Sequence, residues 1–586
     1  MSENLSVFMK KYLYIIFTLV ILFSSCEEKT KTFEYAGGTF TYAISHEPTT
    51  LLARKVTDVY SASVVYQVLE GLTCLNPTTL EPQPSLAESW TISEDGLTVV
   101  FNIKKDVYFH ANDITGEERM LTPDDIVYSI ELACKQTMGE EPSTAYSGIY
   151  KDLIEGAEEY YLGQADHVSG LKVEGHKLTI RLRKPDASFL DKLASANASV
   201  VLKEAVEAGR ETDLIGTGPF MFKQYRDKDE NTEIVLVKNP KYHLSDDAGN
   251  QLPYLDTLLF IVESKSLRQL EMFEEGRIQL IEGLPPTRIT NMLEGRMNDF
   301  NSSPPKLLLK RKPLLATQYY EFNLLKEPFT DIRVRKAINY AVDREDIIRN
   351  VLNNQAHSVG DAGIVPPAAF SGYNAKEVRK HGYSFDPEKA KRLLAEAGFP
   401  NGDGFPTIDL KFNLGTIHSA VADQFAKQMK KYLNINVNLD GLSFEDKLES
   451  QRNAEGQITR TSWYADYYSP ETFLMNFYGK YVPENPDEPS LLNLSRYKND
   501  DFDRAMDMAT TSDDLAERYA YFVEAESIMM DEAPIIVLWY EETIKLTYSN
   551  VRNLRLNEMN FYQFRDVYIK EWSEEEFKEA NENQLQ

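Results

Sequence analysis

The sequence is short of the residues that most often announce chemistry. Among 586 residues there are three cysteines, eight histidines and four tryptophans. No cysteine falls in a CxxC or other metal-like spacing, and no two histidines stand at the helical interval that would let them share an ion, which disfavours a zinc or nickel site built from local sequence. There is no GxSxG, HExxH or Walker-type glycine loop, so the recognisable hydrolase and nucleotide-binding signatures are missing. The stretch GTGPF (216–220) is glycine-rich but lacks the lysine and hydroxyl residue that would cradle phosphate, and it reads as a tight turn feeding a strand around EIVLVKN. The adjacent acids Asp124-Asp125 and Glu274-Glu275 read as helix-end or solvated residues, because a glycosidase pair converges in space and not in sequence. No catalytic residue, no cofactor and no metal is expected. Positive charge is scarce too: 63 Lys and Arg stand against 91 Asp and Glu, a formal net charge of −28. Binding nucleic acid needs a basic surface that such a chain does not offer.

What is present is a large, aromatic-rich globular chain. Hydrophobic residues make up 42% and aromatics 11% of the sequence, enough for a sizeable core, and the length calls for two to four domains. The first stretch stands apart. MKKYLYIIFTLVILFSSC (Met9 to Cys26) has two lysines, an apolar run, two small residues and a cysteine, the layout of a secretory signal and too short for a good membrane span. Ser24-Ser25-Cys26 resembles a bacterial lipobox, whose cysteine becomes the acylated first residue of an anchored lipoprotein. The expectation is a signal peptide over 1–25 and a lipid-anchor tether over 26–36. Cys74 and Cys134 then remain, and the sequence leaves open whether they pair.

Periodicity gives the organisation that follows. GGTFTYAIS alternates Phe40, Tyr42 and Ile44, a half-buried strand; GLTVVFNIKKDVYFH (96–110) and HKLTIRL (176–182) read the same way. TPDDIVYSIELA starts a helix with Thr122 as cap, Pro123 in the first position and two acids against the positive end. In the second half, DPEKAKRLLAEAG (386–398) has an Asp cap, an apolar stripe and a glycine stop. TIDLKFNL, then a helix over Ser419 to Leu433, then INVNL (435–439) make a strand-helix-strand unit, which implies a parallel pair. The later region is therefore α/β, whereas the earlier one mixes hairpin-like strands with helices.

Several stretches, taken in order, are similar to one family. AESWTISEDGLTVVFNIKKDVYFHAND followed by LTPDDIVYS, then IGTGPFMFKQY, YYEFNLLKEPFTDIRVRKAINYAVDREDII, DPEKAKRLLAEAGFP and DEAPIIVLWY resemble solute-binding protein family 5, the dipeptide and oligopeptide receptors of ABC importers. The resemblance implies an α/β, periplasmic-binding-protein-like two-lobed hinge fold of class II with an extra inserted α+β domain. Its expected pieces are lobe I from 37–82, 201–303 and 539–586, the inserted domain over 83–200, and an α/β lobe over 304–538. It also implies a monomer, exported and anchored to the cell envelope through a lipid on Cys26, at the periplasm or cell surface. Its expected partners are a peptide ligand and an importer permease, and no nucleic acid.

The resemblance further gives a meaning to TRTSWYADYY (459–468). In relatives with a Trp-x-Ala-Asp-Tyr pattern the strand offers its backbone to an extended peptide and the acid pairs with the peptide ammonium. Asp466 takes that role here, with Trp463, Ser462 and Tyr467 around it. Arg460 falls where some relatives meet the ligand carboxylate. Tyr464 departs from the small residue that peptide receptors often carry, and its bulk reshapes or shortens the pocket. SHEPTTL matches the segment that faces the ligand from the other lobe, which brings in Glu47 and Pro48. Two alternatives stay open: a non-peptide solute such as an oligosaccharide, opine, bile acid or metal chelate on the same fold, and a hydrolase with an unrecognised site.

Overall fold

The alternating stretch GGTFTYAIS forms a strand over Thr39–Ile44, and that strand is part of one long mixed sheet of 11 strands. The computed structural model describes residues 33 to 576 and 578, apart from 117–118, 140–141, 229–230, 283, 285–287, 368–369, 416, 486–487 and 513. The leader, Cys26 and the tether up to residue 32 lie outside the described residues. Across the sheet the order is Val437–Leu442, Ile408–Asn413, Ile458–Tyr464, Leu307–Phe322, Ile535–Tyr548, Leu280–Glu282, Thr39–Ile44, Thr257–Val262, Asn231–Lys238 and Phe220–Lys228, with the short strand Ser358–Val359 paired to the side of Ile535–Tyr548.

Two strands run through the whole molecule and join its two lobes. Leu307–Phe322 and Ile535–Tyr548 pair antiparallel, but the register slips between Pro313 and Thr317. On one side of the slip, 307–313 pairs with 542–548 beside the Leu280–Glu282 strand. On the other side, Thr317–Glu321 pairs with the Ile535–Tyr540 half and lies against Ile458–Tyr464. A bulge of this kind bends and twists a strand pair, so the slip marks the joint between lobes. The second lobe is α/β as expected: Ile408–Asn413 and Val437–Leu442 are parallel, with helix His418–Leu433 between them. The second strand begins later than the alternation of INVNL suggests, because Asn434 takes a left-handed conformation (φ 57°) to end the helix and Ile435 turns into the core. This lobe packs two cores on opposite faces of the sheet, one around Tyr320, Phe322 and Phe425, the other around Tyr319, Phe473 and Phe522.

A third unit has its own antiparallel sheet, Ala87–Ile92, Thr98–Ile103, Lys177–Arg181 and Leu171–Glu174 in that order. Phe101, Leu178, Phe189 and Leu193 share its core. Helix Pro123–Ala133 begins as expected, with reciprocal capping by Thr122 and Asp125. The glycines of GTGPF do more than turn: a side chain on Gly216 would strike the Val68 carbonyl and Leu69, and one on Gly218 would lie 2.7 Å from that same carbonyl. They let this crossing seat against the end of helix Val59–Val68. Cys74 and Cys134 are both free. No helix among the described residues is long and apolar enough to cross a membrane.

Candidate functional site

The strand Ile458–Tyr464 has a two-sided environment. On one side it is paired along its length with 316–322, Ala316 facing Tyr464, Gln318 facing Ser462 and Tyr320 facing Arg460. On the other side its ladder with Ile408–Asn413 reaches only Ile458 and Thr459. Beyond Thr459 this edge has no strand partner among the described residues, so main-chain groups over 460–464 are left for something else to pair with.

Asp466 stands just past the end of that edge. Its side chain is open to solvent, yet it lies deep within the mass of the protein, and that surrounding pushes its pKa up to about 6, with the Thr472 hydroxyl pulling the other way. Thr472 is wholly buried and uses all of its hydroxyl. The oxygen accepts from the Trp463 indole N–H (3.3 Å) and the Asp466 main-chain N–H (3.1 Å), and its proton goes to Asp466 Oδ2 (3.3 Å). No cation lies within ion-pair reach of Asp466 among the described residues. The carboxylate is thus held in place by a neutral donor and left electrically unanswered.

Six residues back, Arg460 is the opposite case. It is only 8% exposed, and its guanidinium donates to Asn413 Oδ1 (3.3 Å) and to Gln318 Oε1, both neutral. Burial lowers its pKa, while Tyr464 and Glu541 favour its charge. Other basic groups gather nearby. Lys447, buried on helix Phe444–Arg452, donates to Gln451 Oε1 (3.2 Å), and burial together with Arg460 brings its pKa down to about 7. His418, at the start of helix His418–Leu433, is pushed well below its usual range by burial, Arg460 and Lys447. The nearest acids, Glu541 and Glu321, are themselves raised by burial to about 7, so they answer this positive end only weakly. One wall of the cleft therefore runs from an unanswered acid to an unanswered base.

The first lobe supplies the facing wall. Helix Val59–Val68, capped by Asp58, turns two tyrosines toward it: Tyr66 feels the charge of Asp466 and Tyr60 that of Arg460. His46 reaches across, its ring stacked on Phe444 of the other lobe at 5.3 Å and 23°. Tyr464, half-buried, lies between the two charged ends on the same strand face as Arg460 and Ser462, with Glu541, Tyr60 and Arg460 around its phenol.

The sequence-derived residues thus separate. Arg460, Ser462 and Tyr464 share one strand face with Asp466 beyond its end, whereas Trp463 lies on the other face, its indole donating to the buried Thr472. Tyr467 is buried, its hydroxyl 3.6 Å from Met475 Sδ, behind that wall. Glu47 is exposed and felt by Tyr225 of its own lobe, and Pro48 is half-buried beside it. His46, their neighbour, makes the crossing. The residues that sequence reasoning missed, Thr472, Gln318, Lys447 and His418, carry no local motif. Lys447 lies on a buried row with Ser450 and Gln451, all three polar, so no apolar stripe marked that face in the sequence.

Comparison with known proteins fits this geometry. Residues 81–485 match the model of the bacterial extracellular solute-binding proteins, family 5 middle region. The dipeptide-binding protein of Escherichia coli is 27% identical over 505 residues, 84% of this chain and 87% of that protein. Heme-binding protein A of Haemophilus influenzae is 28% identical over 495 residues, 81% and 82% of the two chains. The fold matches that of the periplasmic binding protein DppA from Helicobacter pylori in complex with the peptide STSA, with a TM-score of 0.78 at 24% identity over 92% of this chain and 99% of that one.

Proposed function

Because this chain belongs to the bacterial extracellular solute-binding proteins of family 5, which bind their solutes and are not enzymes, we propose that it captures peptides, from dipeptides to oligopeptides, between its lobes and delivers them to an ABC importer. The observation that carries this reading is the strand edge at 460–464, unpaired by any neighbouring strand and flanked by Asp466 and Arg460. An extended peptide laid on that edge gains main-chain hydrogen bonds whatever its side chains are. Asp466 takes its ammonium and Arg460 its carboxylate, each the charge the site lacks; Ser462 and Tyr464 line the path, with Trp463 on the other face of the strand. Six residues at about 3.3 Å each put the two anchors at most about 20 Å apart, and with side-chain reach at both ends this suits about three to five residues. Glu47 and Pro48 close on the peptide from lobe I, while Tyr467 supports the wall from behind.

In this reading the leader 1–25 is removed and Cys26 is acylated, so the tether 26–36 holds a monomer at the envelope membrane, in the periplasm or at the cell surface, within reach of the permease. Lobe I is built from 37–82, 201–303 and 539–586, with 83–200 inserted and 304–538 as the second lobe, whose first strand up to Pro313 still pairs within lobe I.

Native mass spectrometry with a mixed peptide pool tests the reading. One intact peptide retained per chain is the expected result, with Asp466→Asn losing free-amine peptides far more than N-acetylated ones. Equal binding of both by the unaltered protein would remove the amine-anchor role, and cleaved products would point to a hydrolase. Tyr60, Tyr66 and Tyr464 on the two walls also suit a flat non-peptide solute, and one relative is named for heme binding. Retention of such a solute in place of any peptide would favour that second reading.

A further inference from the structure

Directly behind the Asp466 wall a lysine from one unit is buried against an acid from another. Lys192 lies on the short helix Phe189–Leu193, whose Phe189 and Leu193 belong to the core of the four-stranded unit. Glu471 opens the helix Glu471–Leu474, whose Phe473 and Leu474 belong to the core of the second lobe. The Lys192 Nζ is 2.8 Å from Glu471 Oε1 and 2.8 Å from Asp186 Oδ2 of its own unit. All three side chains are at most 10% exposed. Burial works against the lysine's charge, but the two carboxylates more than offset it and hold its pKa above the ordinary value.

This triad sits against the ligand wall. Glu471 is followed at once by Thr472, the residue that fixes Asp466. Tyr467 fills the space between them: its phenol feels Glu471, Asp186 and Asp466 together, and Lys192 Nζ lies 5.6 Å over its ring. At the rim a second contact joins the same two units, Lys480 to Asp152 at 3.3 Å, with both side chains about a third or more exposed. Rim pairs of that kind contribute little, whereas breaking a buried pair leaves an uncompensated charge.

We propose that Lys192 is a positioning residue for ligand capture: it locks the four-stranded unit onto the wall that carries Asp466, so that this unit is the clamp that keeps the cleft shut behind the bound cation. The geometry gives the clamp a defined release. When the lobes part, Lys192 keeps Asp186 and gives up only Glu471, so opening strands no unpaired lysine. The proposal rests on the binding role of the Asp466 wall, but closure can be read without any ligand.

The test uses the full chain with spin labels on exposed positions of the four-stranded unit and the second lobe, read by pulsed dipolar spectroscopy, together with stopped-flow release of whichever peptide the native mass spectrometry identifies. Glu471→Gln leaves the Lys192–Asp186 pair intact and is the cleanest variant. Expected are a longer inter-label distance in the empty protein and ligand release about tenfold faster. Lys192→Met combined with Glu471→Gln should open the cleft no further than Lys192→Met alone, because the contact that Glu471→Gln removes is already lost with the lysine. Lys480→Met should leave the distance unchanged. An unchanged distance in Glu471→Gln overturns the clamp even if affinity falls, since Glu471 would then only support Asp466 locally. If no peptide binds the unaltered protein, the proposed function fails while the distance measurement still decides the clamp.

Discussion

Asp466 at a pKa of about 6 is charged at neutral pH by a narrow margin. A ligand ammonium needs the ionised form, so protonation competes with binding as pH falls. For one such group the affinity should drop about tenfold between pH 7 and pH 5, and Asp466→Asn should abolish that slope while weakening binding at pH 7. Titration calorimetry at the two pH values checks it. The same substitution removes a carboxylate that folding holds above its unfolded pKa. At pH 7, above both values, that charge opposes folding, so the empty variant should melt slightly higher, in keeping with the usual exchange between stability and function. Tyr464 lies between the two charged ends, and Tyr464→Gly should extend the range of bound lengths by about one residue, read from the masses retained in a peptide ladder. That Arg460, Ser462 and Tyr464 share one face of the strand leading to Asp466 was legible, because alternation fixes the face of each strand residue. Thr472, Gln318 and Lys192 were not, since what makes them matter is a partner brought close only by folding: Gln318 meets Arg460 from 142 positions away and Lys192 meets Glu471 from 279.

Among the elements, those with their own local chemistry could be read closely. Helix Pro387–Glu396 starts at its Asp386 cap and ends before Gly398, as its capping residues require. The parallel pairing of Ile408–Asn413 with Val437–Leu442 followed from the helix between them. GTGPF was legible only as a turn. Its glycines answer to Val68, about 150 positions upstream, which no local pattern reveals. Gly216→Ala should therefore destabilise by about 2–4 kcal/mol in urea unfolding followed by fluorescence, because the obstacle is backbone and cannot swing aside. Gly163→Ala, where nothing lies within 4 Å but φ is +69°, carries only the backbone strain of about 1 kcal/mol and serves as the comparison.

For the whole molecule, the cleft is bridged at both ends, by Lys192 and Glu471 behind the acid and by His46 and Phe444 near the base. Burial first, and Arg460 second, lower the pKa of His46 below 6.5, with Asp58 opposing. A histidine depressed in the closed arrangement takes up a proton more readily once the lobes part, so acid should favour opening. Small-angle scattering of the empty protein should show a larger radius of gyration at pH 5.5 than at pH 7.5, and His46→Gln should shrink the difference. The register slip between Pro313 and Thr317 lies inside one unbroken strand, so periodicity does not locate it. The first lobe carries a different consequence, one of time. Gln67 donates to the Tyr562 carbonyl 495 positions later, Asn557 donates to that of Pro77, and Leu280–Glu282 waits for 545–547 to cover its edge. The part of the chain made first is thus the part completed last. Until the last residues are made, the Leu280–Glu282 strand has a bare edge and the core around Phe40 and Tyr42 lacks Tyr562 and Phe564, so the first lobe closes only at the end of synthesis.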